Sequence, residues 1–414
     1  MSFRSITRAA AVIALTTALA RLLGLFREVV SARAFGTTGV YDAFLLAFMI
    51  PNFFRGLLAE GALSTAFVPV YTEILTDPQR KEERAQVVAI SFTFSLVLTC
   101  SLYLLVLITV PLVQRFLHPV SRWFLTFSLL RFTFPYLIFI SLSALEMGVL
   151  NCHKHFFLPA ASPILLDLVW MAAILWLCPL LGGSLERQIL GLCVAVTAGG
   201  AAQFLLQLPA VRRRGVSFRF NFNFRHPALL KMRRLLAPVI IGVAVGPINL
   251  LVDYSLANFL SGGMVSALWY ATRLYQLPLG IFAISLSTAV LPWLAERRAQ
   301  KNLMALRREL TGSLSLVCAV LLPCTIGLFL FRKEIVALLF QRGMFSASSV
   351  EITAFALGFY SLGLVGYGAA SVLTRGFYAF QDTRTPVLVG VISIATNFFL
   401  DIILMGPLQH GGIA

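Results

Sequence analysis

The chain has 414 residues, of which 59% are hydrophobic and 12% charged, with a mean hydropathy of +0.87. Soluble globular proteins carry about 25% charged residues, so this composition excludes that class and indicates a polytopic membrane protein. The formal net charge is +16, but Lys and Arg cluster in short connections between apolar runs, as in loops that face an anionic leaflet; this argues against a nucleic-acid partner.

At about 20 apolar residues per crossing, the sequence predicts helical spans near 9–35, 43–70, 87–114, 124–150, 157–181, 188–209, 235–260, 265–294, 309–331, 351–378 and 386–407. Arg4 and Arg8 precede the first run, which reaches Arg21 without a convincing cleavage segment. A retained helix is therefore expected rather than a secretory signal. Pro51, Asn52 and Pro69 in the second span and Pro278 in the eighth predict kinks or local distortions.

If the N-terminus is cytoplasmic, the loops on that side hold Arg80, Lys81 and Arg84, Lys154, the run from Arg212 to Arg234, the run from Arg297 to Arg308, and Arg384. The opposite side holds fewer, chiefly Arg33, Arg115, Arg122, Arg187, Arg332, Lys333 and Arg342. This asymmetry predicts an N-inside orientation. Cys100, Cys152, Cys178, Cys193, Cys318 and Cys324 lie mostly in apolar runs and read as small core hydrophobes, with no disulfide framework. Cys152, His153 and His155 offer sulfur and imidazole donors without a complete ligand set nearby, so a structural role is expected for them and no metal is assigned.

A long-range repeat is present. Leu63-Ser64-Thr65-Ala66 recurs as Leu286-Ser287-Thr288-Ala289, Pro69 as Pro292, Val149-Leu150 as Val372-Leu373, and Pro163 as Pro386, all displaced by 223 positions. The shared offset predicts a duplicated bundle: an N-terminal lobe over 1–210, a basic cytoplasmic connection over 211–234, and a C-terminal lobe over 235–414. Six helices separate equivalent positions, so the halves run parallel and could rock about a central cavity.

Arg21, Arg27, Arg55, Arg131, Arg273 and Arg375 fall in or beside the spans. A guanidinium at membrane depth faces the protein interior, a wet cavity or an anionic partner. Arg21 and Glu28, seven residues apart, share nearly one helical face, whereas Arg27 projects elsewhere. Asp42 opens the second span, and Arg55 precedes Glu60 and Gly61. Two readings remain: an anion-binding cavity suited to phosphate, or internal ion pairs joining Arg21 to Glu28 and another arginine to Asp42 or Glu60, with Glu146, Asp167 and Asp253 as further acids.

The segments Arg21-Leu22-Leu23-Gly24-Leu25-Phe26-Arg27-Glu28, Asp42-Ala43-Phe44, Ile50-Pro51-Asn52-Phe53-Phe54-Arg55 and Ala59-Glu60-Gly61-Ala62-Leu63-Ser64-Thr65-Ala66-Phe67-Val68-Pro69 together carry a specific likeness. It continues through Phe134-Pro135-Tyr136, Trp269-Tyr270-Ala271-Thr272-Arg273-Leu274, Pro278-Leu279-Gly280, Gly376-Phe377-Tyr378, Gln381-Asp382 and Thr385-Pro386. The chain resembles the MurJ (MviN) lipid II flippases of the multidrug/oligosaccharidyl-lipid/polysaccharide exporter superfamily.

That resemblance implies an all-α fold of fourteen helices, the first twelve forming two six-helix lobes, with the last two helices missing from a chain that stops at Ala414. It implies movement of lipid II from the cytoplasmic to the periplasmic leaflet of the bacterial inner membrane, with membrane lipids and cell-wall synthesis proteins as partners. It places Arg21, Arg27 and Arg55 in a cavity with Asp42 as the important acid, and Arg273 as the contribution of the second lobe. Thr272 and Gln276 stand where some members carry acids, and Gly56 where some carry a second arginine; these departures put an identical charge-coupling scheme in doubt. No Walker A sequence or catalytic constellation is present, so neither an enzyme nor a cofactor is expected, and membrane potential or an ion remains open as the energy source. The competing reading is an exporter of small cationic or amphipathic drugs.

Overall fold

The computed structural model describes residues 3–57, 64–216 and 219–414, and among these every regular element is helical. In chain order they are α1 (Phe3–Phe35), α2 (Gly39–Arg55), α3 (Ser64–Thr76), α4 (Lys81–Gln114), α5 (Arg122–Thr133), α6 (Tyr136–Cys152), α7 (Phe157–Ala172), α8 (Cys178–Leu181) and α9 (Leu185–Arg212). Then follow α10 (Pro227–Ala257), α11 (Met264–Pro278), α12 (Ser285–Ala299), α13 (Leu303–Leu330), α14 (Arg332–Phe340), α15 (Ala347–Ala379) and α16 (Arg384–Leu408). Several starts are set by short polar side chains that accept a bond from an otherwise orphaned amide: Ser121 from Phe124 N, Asn302 from Ala305 N, and Ser346 from Ser349 N.

Seven of the described segments are long and apolar enough to cross a bilayer, running 78–114, 157–181, 185–212, 264–299, 303–330, 347–379 and 384–412. The chain is thus a multi-pass membrane protein. An eighth crossing is formed if α5 and α6 are taken together, bent by 42°. The sequence predicts one continuous span at 124–150; the break falls at Phe134-Pro135, where the ring removes an amide donor and crowds the preceding turn. α1 and α10, at 33 and 31 residues, also have spanning length.

Helix bounds reproduce the repeat offset. Displaced by 223 residues, α1 falls on α10, α2 on α11, α4 on α13, the α5–α6 pair on α15, and α7 on the start of α16. Val149 and Val372, paired by that offset, are both fully buried, each in its own hydrophobic cluster. Leu63, part of the matched tetrapeptide, lies with Ala59, Glu60 and Gly61 outside the described residues.

The chain forms two compact units, one of residues 1–31 and 39–251, the other of 32–38 and 252–414. In the first, Phe67, Val70, Tyr71 and Ile74 of α3 pack with Val87 and Val88 of α4 and Leu145, Val149 and Leu150 of α6. Gly148 permits this approach, since a Cβ there would lie 2.9 Å from the Phe67 ring. In the second, Leu279, Ala283, Val317, Leu321, Leu364 and Val372 form a core. The connection from 32 to 38 is clasped by this second unit: Met344 N donates to Arg33 O at 2.9 Å, and the Thr37 and Ser349 hydroxyls lie 2.6 Å apart. Gly36, with φ of +55°, allows close passage beneath the Met344 carbonyl.

Two spans contain π-helical turns. Ala173–Leu177 separates α7 from α8, and Leu279–Ile284 separates α11 from α12. Gly56 and Leu57, displaced by the repeat offset from the start of the second, also wind as π-helix at the end of α2.

Candidate functional site

α1, α7 and the short gap in hydropathy made by their charged residues build the main polar centre of the first unit. Arg27 Nη1 donates to Asp167 Oδ1 at 2.8 Å and Nη2 to Glu28 Oε1 at 2.6 Å. The three side chains are 12%, 11% and 2% exposed, respectively. The guanidinium also lies 4.7 Å from the centre of the Trp170 ring, one helical turn beyond Asp167, and Trp170 Nε1 donates to Ser31 Oγ at 3.1 Å. One cation therefore meets two carboxylates and an aromatic face, an arrangement with an excess negative charge when both acids are ionised.

This differs from the internal pairing expected between Arg21 and Glu28: the long Arg27 side chain folds back onto its immediate neighbour, and Arg21 is exposed on α1. Asp42 is fully buried in the first turn of α2, where the helix N-terminus favours an anion, and Arg122 Nη1 of α5 stands 3.7 Å away. Arg55, at the other end of α2, donates through Nε to Asn52 Oδ1 at 2.7 Å. Thus Arg27, Asp42 and Arg55 each have a different local partner.

In the second unit, the Arg273 guanidinium stacks 4.1 Å from the Trp269 ring centre on α11, a cation–π contact that holds the charge without an acid. Arg375 lies 5.8 Å from the Tyr378 ring centre on α15. Arg131 donates to Gln114 Oε1 on α4.

A carboxylate cluster escaped the sequence reading. Asn397 Nδ2 on α16 donates to Asp253 Oδ1 at 2.8 Å and to Asp401 Oδ2 at 3.0 Å, and both acids are buried, at 7% and 2% exposure. Asn397 and Asp401 stand four residues apart and so share a helix face; that spacing inside an apolar run was the available signal. The remaining carboxylate oxygens are hard donors suited to a proton or a hard cation. Among the described residues there is no group of three or more His, Cys, Asp or Glu poised on one metal ion. At Cys152, Thr72 Oγ1 donates to the sulfur at 3.4 Å, while His153 packs with its ring centre 6.3 Å from that of Tyr71.

The membrane arginines, the repeat and the helix order can be set beside known proteins. The family model described as lipid II flippase MurJ matches residues 31–414. The chain belongs to the MurJ family. It is 34% identical over 417 residues to a probable lipid II flippase MurJ of Vibrio cholerae, covering 97% of this chain and 78% of that protein. It is likewise 34% identical over 409 residues to a lipid II flippase MurJ of Burkholderia cenocepacia, covering 96% and 78%.

A solved lipid II flippase MurJ in an inward closed conformation superposes with a TM-score of 0.79 at 28% identity, over 97% of this chain and 83% of that one. An inward-facing multidrug transporter of the MATE family, in the MOP superfamily, gives a TM-score of 0.74 at 14% identity, over 96% and 92%. At that identity the second likeness extends to the fold alone. Membership of the MurJ family makes this chain a transporter of the flippase type rather than an enzyme.

Proposed function

We propose that this chain carries lipid II across the bacterial inner membrane, from the cytoplasmic to the periplasmic leaflet, by alternating access of two parallel-related six-helix lobes. The observation that carries the reading is the family match over residues 31–414, joined to arginines held within membrane helices. A pyrophosphate with a sugar-peptide headgroup loses hydration in an apolar phase, and guanidinium groups supply replacement charge-assisted bonds. The polyprenyl tail stays in lipid. Arg21, Arg27, Arg55 and Arg273 serve the headgroup, with Asp42 as the acid that tunes them.

The pairing of Arg27 with Glu28 and Asp167 gives release a physical basis. When the carboxylates hold the guanidinium, a phosphate must compete for its donors, so the same side chain can bind in one state and let go in another. A ligand held equally in both states shifts no equilibrium. The basic connection at 211–234 faces the cytoplasm, with the N-terminus on the same side. The buried Asp253–Asn397–Asp401 cluster supports coupling to a proton or cation.

The test is reconstitution in vesicles of known sidedness, with lipid II compared with undecaprenyl phosphate and with a small cationic drug. Faster movement of lipid II than of the control lipid is expected. Equal movement of both lipids, or drug transport without lipid II transport, overturns the assignment and favours a multidrug exporter.

A further inference from the structure

Between Val211 and Arg234 there are eight Lys and Arg and no Asp or Glu. Within this stretch, Arg219-Phe220-Asn221-Phe222-Asn223-Phe224-Arg225 alternates aromatic and polar residues between two arginines, and it runs without helix along the side of α4. Asn221 N donates to Thr93 Oγ1 at 2.9 Å, which pins the ribbon to that helix. Phe220 meets Phe92 with ring centres 6.2 Å apart and Phe224 meets Phe94 at 6.0 Å, while Phe222 packs between Phe220 and Phe224 at 6.4 and 6.1 Å. Phe220 and Phe222 nonetheless remain 68% and 65% exposed.

The attachment point sets the depth. From Val87 to Val113, α4 has no charged residue; at 1.5 Å per residue this run is about 40 Å long, some 10 Å more than the hydrocarbon core. Thr93 is six residues along it, roughly 9 Å from the start and within about 5 Å of the boundary between headgroups and acyl chains. Exposed phenylalanines at that level face lipid rather than bulk water, and flanking arginines reach outward to phosphate.

The nearby acids are already engaged: Glu73 bonds Lys231 at 2.6 Å, and Glu83 bonds Arg80 at 2.6 Å with His226 Nε2 3.7 Å away. Arg219 and Arg225 are exposed and form no ion pair among the described residues.

We propose that residues 219–225 form a binding site for anionic phospholipid headgroups at the membrane surface, with Phe220 and Phe222 inserted among the acyl chains and Arg219 and Arg225 on the phosphates. The site depends on depth and charge and stands apart from the identity of the transported lipid. Each arginine near an anionic surface strengthens binding about five-fold at low ionic strength, so the pair contributes up to roughly twenty-five-fold.

The experiment uses the full chain carrying Phe222→Trp, reconstituted in phosphatidylcholine vesicles in which either a brominated phosphatidylglycerol or a brominated phosphatidylcholine is the minor component. Quenching is referred to the parent chain, whose five tryptophans supply the background. The added indole is expected to be quenched more strongly by the anionic lipid. Arg219→Gln with Arg225→Gln should abolish that preference while leaving quenching by the neutral lipid, and high salt should weaken it. No quenching by either lipid would place the ribbon in water or against a protein and overturn the proposal. Equal quenching by both, or a preference that survives loss of both arginines, also overturns it.

Discussion

Replacing Arg27 by alanine is a demanding test of the charged centre in the first unit. The substitution removes bonds of 2.6 and 2.8 Å and leaves Glu28 and Asp167, 2% and 11% exposed, facing one another without their cation. Breaking a buried ion pair from one side costs about 3–5 kcal/mol; at about 2–4 °C per kcal/mol for a unit of this size, the unfolding midpoint should fall by roughly 6–20 °C. Asp167→Asn has a different outcome, because Arg27 and Glu28 remain a one-to-one pair and the amide oxygen still accepts from Nη1. Its cost should be about 1–2 kcal/mol. In the Arg27→Ala background, Asp167→Asn removes an uncompensated charge and should restore stability by about 1–2 kcal/mol. Thermal unfolding of the four purified proteins in one lipid or detergent, followed by size-exclusion chromatography, measures this cycle. An Arg27→Ala protein as stable as the parent, or additive losses in the double variant, would refute the reasoning. Transport by Arg27 variants should therefore be compared only at matched folded abundance.

Arg55→Ala and Arg273→Ala remove no buried carboxylate partner, so they should reduce lipid II movement more than they reduce folded abundance; lysine at either position should restore charge but not the two-pronged donor geometry. Normal vesicle transport by both alanine variants would remove them from the proposed headgroup site. Gly36→Ala should destabilise the second unit by about 1–3 kcal/mol or more, from positive-φ strain and the clash with the Met344 carbonyl, whereas Gly182→Ala meets open space and should show strain only. Thermal midpoints of the two variants check the difference. His153 and His155 are held below the ordinary histidine value of 6.5, first by burial, then by Arg214, with Arg84 acting also on His153. Each thus contributes stability that is complete above about pH 6.5 and lost as pH falls through its lower folded value. The double change to phenylalanine should flatten the decline in thermal midpoint between about pH 6.5 and 5; an unchanged slope contradicts this.

The sequence exposed those features that depend on local pattern. Apolar runs located the helices because a membrane helix needs a long lipid-compatible stretch, and the 223-residue offset survived because Val149 and Val372 occupy corresponding buried positions. Arg27 could be singled out as a membrane arginine, but its Asp167 partner lies 140 residues away, a pairing that no helical spacing encodes. The α5–α6 bend was hidden by hydropathy, since Pro135 breaks a hydrogen-bond ladder without interrupting the apolar run. Asp401 was overlooked for the related reason that one acid barely changes the mean polarity of α16, although Asn397 four residues earlier marked a polar face.

The π-helical turn at Leu279–Ile284 changes what sequence length means in this span. It adds a residue to the winding, so a single-residue deletion that restored regular α-helix would hardly shorten the span; it would rotate Ser285–Ala299 by about 100° relative to Met264–Pro278. Ser287 and Leu294, now buried, would turn from their neighbours, while residues beside them turned inward. For this segment, an alignment gap is a change of angular phase, and a relative with one residue fewer here must present a different set of side chains on the same helix face.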